Sequence, residues 1–415
     1  MKKLLHTPEG VRDIYNVECG KKLALEGRIK KTFHLYGYHD IQTPVFEYFD
    51  VFRKEIGTIP SKDLYKFFDK EGNTLALRPD ITPSVARAAA TLFGEEELPV
   101  RLCYTGNTFI NHSSYQGRLR EVTQMGAELI GDDSVEADAE MLAMVIEALL
   151  TIGVKEFQIH VGNMEFFQSL MEDANLDEEA RERVIELIHN RNSFGVEDYL
   201  DSIHVNRSAK EAFVALNELT GGVENLVRAK NLAPNSQGIL AVKRLERIYD
   251  ILRIYGVEKY VTFDLSMTGT YGYYTGIVFR GYTYGSGDAI VKGGRYDNLL
   301  EKFGKKSPSI GFAIVVDELM NAMNRQKLRI VYTRKNTILL YDKEKAKEAV
   351  KLAMDFRRKA KNVELLMKAD KRLLEEYVAY GKEYYAGSLI YMKRSGEITM
   401  VNLVTGEHKV VNADG

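Results

Sequence analysis

Apolar residues follow two different spacings along the first part of the chain. At residues 17–35 and 132–153 they recur every three or four positions, which predicts two amphipathic helices. At residues 100–109 and 120–130 they partly alternate with polar residues, and β-favouring residues are frequent, which predicts two strands. The polar segment 111–117 between these strands ends in glycine and predicts the loop of a hairpin.

Shorter apolar runs predict further elements between these. The run His39 to Phe46 is typical of a strand, and Pro44 within it predicts an edge or interface strand because proline cannot donate to a ladder. Short strands are expected at residues 63–68 and 75–77. An alanine-rich helix is expected at residues 84–92.

The second half of the chain separates into a helical segment and an alternating tail. A strand is expected at residues 156–161, and residues 166–252 are mainly helical with charged, solvated faces. The tail predicts strands at residues 336–341, 363–367, 388–392, 397–403 and 408–411, and helices at residues 344–361 and 372–380. We therefore predict an α+β protein with one domain at residues 1–325, which contains the helical insertion, and a small α/β domain at residues 330–415.

Bulk composition restricts the class of protein. The 415 residues suggest two or three domains, and the hydrophobic fraction of 45% is enough for globular cores. The net charge of -2 gives no general attraction to nucleic acid or to anionic membranes. The N-terminus turns polar before an apolar signal segment forms, and no apolar run approaches the roughly 18 residues of a membrane span. We expect no membrane partner and no nucleic-acid partner.

The two cysteines, Cys19 and Cys103, add no chemistry of their own. They are too few for a disulfide framework, and they lack the spacing of metal ligands. We expect small buried residues, no metal site and a reducing, cytoplasmic environment.

Two pairs of polar residues are the first candidates for binding chemistry. Gln124 and Glu128 are four residues apart, so on a strand their side chains point to the same face. They can hold a small ligand that carries an ammonium group, or they are solvent-facing residues of an ordinary strand. Asp80 and Thr82 stand just before the predicted helix at residues 84–92, where a capping role would explain one of them.

The segment around the predicted hairpin resembles motif 2 of the class II aminoacyl-tRNA synthetases, the histidyl subgroup in particular. It keeps the aromatic Phe109, the Gly-Arg-Leu-Arg-Glu sequence at residues 117–121, Gln124 and Glu128. It departs from the motif at residues 110–113, where Ile-Asn-His-Ser replaces the Arg-His-Glu-Arg core. The resemblance implies a class II synthetase-like fold, with an antiparallel sheet flanked by helices.

Two earlier segments resemble elements of the same subgroup. The predicted helix at residues 17–35, the Tyr-Gly-Tyr sequence at residues 36–38 and the strand with Pro44 resemble motif 1, the dimer-forming element; an ordinary helix–strand unit is the alternative. The sequence Leu-Arg-Pro-Asp-Ile-Thr-Pro at residues 77–83 is similar to a signature that places a carboxylate on the amino group of histidine. Asp80 stands at the matching position.

Residues 263–279 resemble the second histidine signature of these synthetases. The two tyrosines at residues 273–274 match it, although aromatic core residues are an alternative for them. The arginine of the signature is replaced by Gly269, or by Thr268 with a shift of one residue.

Two later segments complete the resemblance. The sequence Gly-Gly-Arg-Tyr-Asp at residues 293–297 matches the family, and Tyr296 can close a pocket. Residues 315–319 stand in the place of motif 3, where Glu318 replaces the arginine that binds ATP. A carboxylate repels a triphosphate, and truncating one partner of a buried charge pair already costs about 2–5 kcal/mol.

Residues expected to recognise histidine are therefore kept, while those expected to bind and activate ATP are not. The residues kept are Asp80, Thr82, Gln124, Glu128, Tyr273, Tyr274 and Tyr296. On this resemblance the ammonium of histidine meets Asp80, Gln124 and Glu128, with tyrosines around the imidazole. We expect no catalytic residue and no cofactor.

This pattern is similar to that of the regulatory subunits of ATP phosphoribosyltransferase, the first enzyme of histidine biosynthesis. The resemblance implies a subunit that assembles with a short catalytic subunit, supports its activity and lets histidine inhibit it as an effector. It also implies a self-dimer through the motif 1 region.

Two alternatives stay open at this point. One is a divergent histidyl-tRNA synthetase, which the missing arginines and the negative net charge oppose. The other is a synthetase-like ligase for another substrate, which also needs ATP. The tail is similar to a shortened anticodon-binding domain, or is a generic α/β module.

Overall fold

The computed structural model describes residues 6–53, 59–94, 99–112, 118–267, 272–330, 332 and 336–412. The chain divides into two compact units, residues 1–13 with 25–330 and residues 14–24 with 331–415. The boundary predicted between residues 325 and 330 stays a prediction, because compactness does not show that either part folds alone.

Helices occur along the whole described chain and form an almost continuous run from Met164 to Tyr255. Their bounds are α1 (Asn16–Leu35), α2 (Thr82–Leu92), α3 (Val135–Thr151), α4 (Met164–Asp173), α5 (Glu178–His189), α6 (Ser193–Ser202), α7 (Arg207–Ala215), α8 (Glu224–Leu232), α9 (Ser236–Tyr255), α10 (Val316–Arg325), α11 (Ala346–Arg358) and α12 (Leu374–Glu383). Among the described residues, no helix is both long and apolar enough to cross a membrane.

The strands form three sheets. Their bounds are β1 (His39–Asp40), β2 (Phe46–Tyr48), β3 (Lys66–Phe68), β4 (Thr74–Leu77), β5 (Val100–Phe109), β6 (Glu121–Ile130), β7 (Phe157–Asn163), β8 (Thr220–Gly221), β9 (Val261–Asp264), β10 (Ile277–Thr283), β11 (Val291–Arg295), β12 (Ser309–Val315), β13 (Asn336–Tyr341), β14 (Asn362–Met367), β15 (Ser388–Met392), β16 (Glu397–Asn402) and β17 (His408–Asn412).

The central sheet has nine strands in the order β1-β5-β6-β12-β11-β10-β7-β9-β8. Strands β5 and β6 form the predicted hairpin, paired from Val100 opposite Ile130 to Phe109 opposite Glu121. The sheet is mostly antiparallel, with parallel pairs at β1–β5 and β7–β9. The predicted α+β fold, with helices flanking such a sheet, is confirmed. Most of the predicted hairpin loop, residues 113–117, lies outside the described residues.

Helix α3 closes one side of this sheet because its apolar positions form a broad face. Met141, Leu142, Val145 and Leu149 are fully buried in the main core. Ser134 caps the helix, since its hydroxyl accepts a hydrogen bond from the Ala137 amide at 3.1 Å.

Helices α4 to α9 form the predicted helical insertion between β7 and β9. Several of them begin after an asparagine or aspartate whose side chain accepts a backbone N–H bond, as at Asn163, Asp177 and Asn235. Phe213 and Leu245 bury their apolar sides in the main core. The insertion therefore packs as part of the first unit.

The strand predicted from His39 to Phe46 is wrong as a single element. Strand β1 pairs with β5 in the central sheet, whereas β2 belongs to a separate three-stranded sheet with β4 and β3. The guanidinium of Arg78 donates to the carbonyls of Thr43 and Pro44 at 3.0 and 3.2 Å. These bonds occupy carbonyl groups that a continuous strand would need, and Pro44 has no N–H to donate.

The tail forms a five-stranded sheet in the order β14-β13-β15-β16-β17, with helices α11 and α12. Strand β13 pairs in parallel with both β14 and β15. Its residues alternate between two cores, with Ile338 and Leu340 in one and Leu339 in the other. The predicted strand–helix alternation of the tail is confirmed.

Candidate functional site

A pocket open to solvent, with an empty volume of about 360 Å³, lies over the central sheet where β6 and β12 run side by side. Gly311 of β12 lies opposite Glu128 of β6, and Val315 lies opposite Gln124. The lining residues are Asp80, Thr82, Gln124, Tyr273, Tyr274, Lys292, Tyr296, Gly311, Phe312, Ala313 and Val315. All the residues predicted to recognise histidine line this cavity, except Glu128.

Glu128 lies directly behind the cavity and is held by hydroxyl groups. Its side chain is fully buried. Oε1 accepts hydrogen bonds from the hydroxyls of Thr82 at 2.8 Å and Tyr104 at 3.2 Å, and Oε2 accepts one from Tyr296 at 2.6 Å. Burial raises the pKa of Glu128 to about 8 in spite of these bonds.

Asp80 is the second buried carboxylate of the site. Oδ2 accepts a hydrogen bond from the Tyr273 hydroxyl at 2.8 Å, and Oδ1 accepts one from the Ile81 amide at 2.9 Å. Burial raises the pKa of Asp80, and the bond from Tyr273 opposes that effect. The N-cap residue of helix α2 is Ile81, which has no capping side chain. The Asp80 carboxyl bonds backbone amides at the start of this helix, so the capping alternative stays open for Asp80 beside the binding role.

The buried end of the cavity lacks a positive charge from the chain. Among the described residues, no cation lies within ion-pair distance of Asp80 or Glu128. The side-chain carbonyl oxygen of Gln124 is buried and has no hydrogen-bond partner among the residues that the structure describes. Gln124 and Glu128 are thus not solvent-facing residues of an ordinary strand. A ligand ammonium would supply the missing charge and the missing donor.

Aromatic rings form one wall of the site. The ring centres of Tyr273 and Tyr274 are 4.9 Å apart, and those of Tyr273 and Tyr296 are 6.0 Å apart in an edge-to-face arrangement. Gly294 leaves room for the Tyr274 ring, because a Cβ at residue 294 would lie only 2.7 Å from it. Gly294 therefore allows close packing of this wall, while a Cβ at residue 293 would lie 2.4 Å from the Phe279 ring.

Three positions at this site are not predicted from the sequence. Tyr104 donates to Glu128 from the neighbouring strand. Gly311 faces Glu128, and a Cβ there would lie 1.5 Å from Oε2 of that carboxyl. Lys292 lines the cavity from β11. The sequence carries a weak signal for Lys292, a lone lysine between Val291 and glycine in a strand, and none for the cross-strand contacts.

The arginines of the synthetase motifs that this sequence lacks have no counterpart in the described lining of the cavity. Glu318 lies half-buried in the first turn of α10, and no arginine lines the described part of the cavity. Arg295 of the Gly-Gly-Arg-Tyr-Asp sequence is buried in ion pairs with Asp138 at 2.6 Å and Asp297 at 3.2 Å. Thr268 and Gly269 lie outside the described residues, as does the last residue of segment 110–113.

A second cavity of about 640 Å³ lies beside β7, β9 and β10. Its acidic residue is Asp264, which pairs with Arg191 at 3.0 Å, with His160 3.9 Å away. Burial alone would raise the pKa of Asp264, but His160, the bonds from Ser266 and the charge of Arg191 lower it to about 2. This carboxylate is already neutralised by the chain.

A third cluster brings together a histidine, a carboxylate and a thiol. His34, Asp40 and Cys103 place their ligand atoms within 4.8 Å of one another. The ammonium of Lys30 lies 2.9 Å from Asp40, and burial raises the pKa of the Cys103 thiol to about 12. A lysine occupies the cationic position and the thiol resists deprotonation, so we assign no metal to this cluster.

Comparison with known proteins shows the family of the chain. The ATP phosphoribosyltransferase regulatory subunit of Acetivibrio thermocellus is 40% identical over 361 residues, which cover 87% of this chain and 86% of that protein. The protein of the same name from Ruminiclostridium cellulolyticum is 37% identical over 403 residues, which cover 96% and 95%. The chain belongs to the ATP phosphoribosyltransferase regulatory subunit family. The sequence model of the histidyl-tRNA synthetase family matches residues 10–319.

Solved structures agree with this family. An ATP phosphoribosyltransferase regulatory subunit/histidyl-tRNA synthetase from Bacillus halodurans superposes with a TM-score of 0.83 at 30% identity, covering 94% of this chain and 98% of that one. A histidyl-tRNA synthetase from Nostoc superposes with a TM-score of 0.81 at 22% identity, covering 99% of this chain and 97% of that one. At that identity the second match shows the fold alone.

Proposed function

We propose that this chain is the regulatory subunit of ATP phosphoribosyltransferase. It assembles with a short catalytic subunit, supports the first step of histidine biosynthesis and makes that step sensitive to histidine. The chain itself is not catalytic, and it binds histidine in the cavity at Asp80 without activating it. The observation that carries the proposal is a cavity lined by the buried carboxyl of Asp80, with Glu128 behind it and no arginine in the described lining.

The ammonium group of histidine lies at the buried end of this cavity. Asp80 supplies the opposite charge, and the unpaired carbonyl oxygen of Gln124 supplies a further acceptor. Tyr273, Tyr274 and Tyr296 surround the imidazole. Such a site matches the usual pattern of an apolar pocket with a few convergent polar groups.

Glu128 acts on the ligand through its neighbours. Both of its oxygens already accept hydroxyl hydrogen bonds, and it does not line the cavity. We therefore propose that Glu128 acts on the ammonium group indirectly, rather than contacting it as the sequence predicts. It fixes the positions of Thr82 and Tyr296, which do line the cavity.

Adenylation is not supported by this site. A triphosphate needs cations at the positions that Glu318 and the residues replacing the motif 2 core occupy. Each 1.36 kcal/mol of lost transition-state stabilisation lowers the rate about tenfold. Regulation requires far less, since allosteric coupling is typically about 1–3 kcal/mol. A sensor is therefore the function that this cavity can perform.

The decisive experiment is reconstitution with a catalytic ATP phosphoribosyltransferase subunit. We expect the two chains to co-purify, the mixture to gain activity over the catalytic subunit alone, and histidine to inhibit only the mixture. The Asp80→Asn complex should remain active and lose inhibition. Histidine-dependent exchange between ATP and pyrophosphate by this chain alone would overturn the proposal and identify a synthetase.

Self-association through the motif 1 region is part of the proposal. Val45, Phe46 and Tyr48 are exposed at and beside β2, and the rings of Phe46 and Phe67 are 5.6 Å apart on the same small sheet. Contiguous exposed apolar side chains are typical of protein interfaces. We expect light scattering to give the mass of a dimer, and Phe46→Glu to shift it toward the monomer; a wild-type monomer would contradict this part.

A further inference from the structure

One charged side chain at the cavity has no part in the synthetase resemblance. Lys292 of β11 lines the cavity together with Asp80 and Gln124. Among the described lining residues, it carries the one cationic side chain. Its side chain is 29% exposed, whereas Asp80 is 3% exposed. The cavity therefore has an acidic buried end and a basic side toward solvent.

The register of the central sheet explains how Lys292 reaches the cavity. Lys292 lies opposite Ala313 of β12, and Ala313 lies opposite Gly126 of β6. Directly opposite residues share one face of a sheet, and neither Ala313 nor Gly126 has a long side chain to cover Lys292. Lys292 and Asp80 line the same cavity, and the charge of Lys292 opposes the effect of burial on the pKa of Asp80.

The existing partner of Lys292 leaves it able to bind a second anion. Its ammonium lies 3.0 Å from Asp288, four residues earlier, and the Asp288 side chain is 59% exposed. Solvent-exposed pairs of this kind contribute little to stability. A lysine ammonium has three donors, so Asp288 and a ligand anion can share it.

We propose that Lys292 forms the carboxylate subsite of this cavity. The ligand class is a zwitterionic α-amino acid, whose ammonium lies at Asp80 and Gln124 and whose carboxylate lies at Lys292. The inference rests on the proposed function and adds a residue that determines specificity. One lysine can pair with a carboxylate, but a single cation in the described lining is too little for a triphosphate.

Paired ligands test this subsite by calorimetry on the full chain. Histidine and histamine share the ammonium and the imidazole, and histamine lacks the carboxylate. We expect the wild type to bind histidine about tenfold more tightly than histamine, because a charge-assisted hydrogen bond is worth about that factor. Lys292→Met should weaken histidine binding by about the same factor and leave histamine binding unchanged.

Two further variants separate a binding role from a structural one. Lys292→Arg keeps the cation and should restore most of the preference for histidine. Lys230→Met removes a comparable half-buried lysine, whose ammonium lies 3.1 Å from Glu246, and should change neither affinity. A Lys292→Met protein that still prefers histidine as the wild type does would overturn the subsite alone. A wild type that binds neither ligand would overturn both this inference and the proposed histidine site.

Discussion

Two buried aspartates of the first unit differ in what neutralises them. Asp264 has Arg191 at 3.0 Å, and its pKa is lowered to about 2. Asp80 has a tyrosine hydroxyl and a backbone amide, and burial raises its pKa. Burial alone therefore does not identify a binding site. A buried carboxylate without a described cation at ion-pair distance is the better indicator, because the ammonium of a ligand can take that position.

The largest expected effect comes from removing the charge of Asp80. Asp80→Asn should weaken histidine binding by about 2–5 kcal/mol, because it leaves the ligand ammonium unpaired in a buried site. Calorimetry with histidine measures this loss. Asp264→Asn is the matched control and should leave the affinity unchanged. Equal affinities of Asp80→Asn and the wild type would remove the distinction between the two aspartates.

The next effect is the pH dependence of the free energy of unfolding that Glu128, beside Asp80, causes. The pKa of Glu128 is raised from 4.5 to about 8, so between these values the folded chain keeps a proton that the unfolded chain releases. The free energy of unfolding should fall as pH rises through this window, by at most about 1.4 kcal/mol per pH unit. Urea unfolding of Glu128→Gln should show a flatter profile. An unchanged profile would show that Glu128 titrates normally.

Asp264 should show the opposite pH dependence. Its pKa is lowered from 3.8 to about 2, which corresponds to about 2 kcal/mol of stability at neutral pH. That stability is present above pH 3.8 and is lost as pH falls through about 2. Asp264→Asn should be less stable at pH 7 and should approach the wild type in strong acid. If urea unfolding shows no such convergence, Arg191 does not neutralise this carboxylate.

The smallest effect tests the hydroxyl that holds Asp80. Tyr273→Phe removes the hydrogen bond of 2.8 Å to Oδ2 and should weaken histidine binding by about 1 kcal/mol. Tyr36→Phe is the control, because it removes a hydroxyl that donates to Glu147 at 2.7 Å on another side of the unit. A similar small loss in both variants would show that the bond to Asp80 is not specific.

The elements with strong periodicity could be predicted from the sequence. Strand β5 occupies its predicted residues, Val100–Phe109, where valine, tyrosine, threonine and phenylalanine favour a strand. Helix α1 begins within one residue of its expected start at residue 17. The run His39 to Phe46 could not be predicted, because the outcome depends on a distant guanidinium, that of Arg78, which binds the carbonyls of Thr43 and Pro44.

The site could be predicted only where a known motif preserves residue types. Asp80, Gln124 and the tyrosines meet across long stretches of sequence, and no local pattern brings them together. Lys292 and Tyr104 depend on the pairing of β11, β12, β6 and β5, and register is a property of the folded sheet. The charge state of Glu128 depends on burial, which the linear sequence does not contain.

Gly311 offers a way to desensitise the chain without touching a polar group. A methyl group at residue 311 would lie 1.5 Å from Oε2 of Glu128 and 2.8 Å from the Ala127 carbonyl oxygen, so the carboxyl would have to swing away. The substitution adds only one carbon and leaves the outer surface unaltered. On the proposed function, Gly311→Ala should yield a complex that keeps its activity and loses inhibition by histidine.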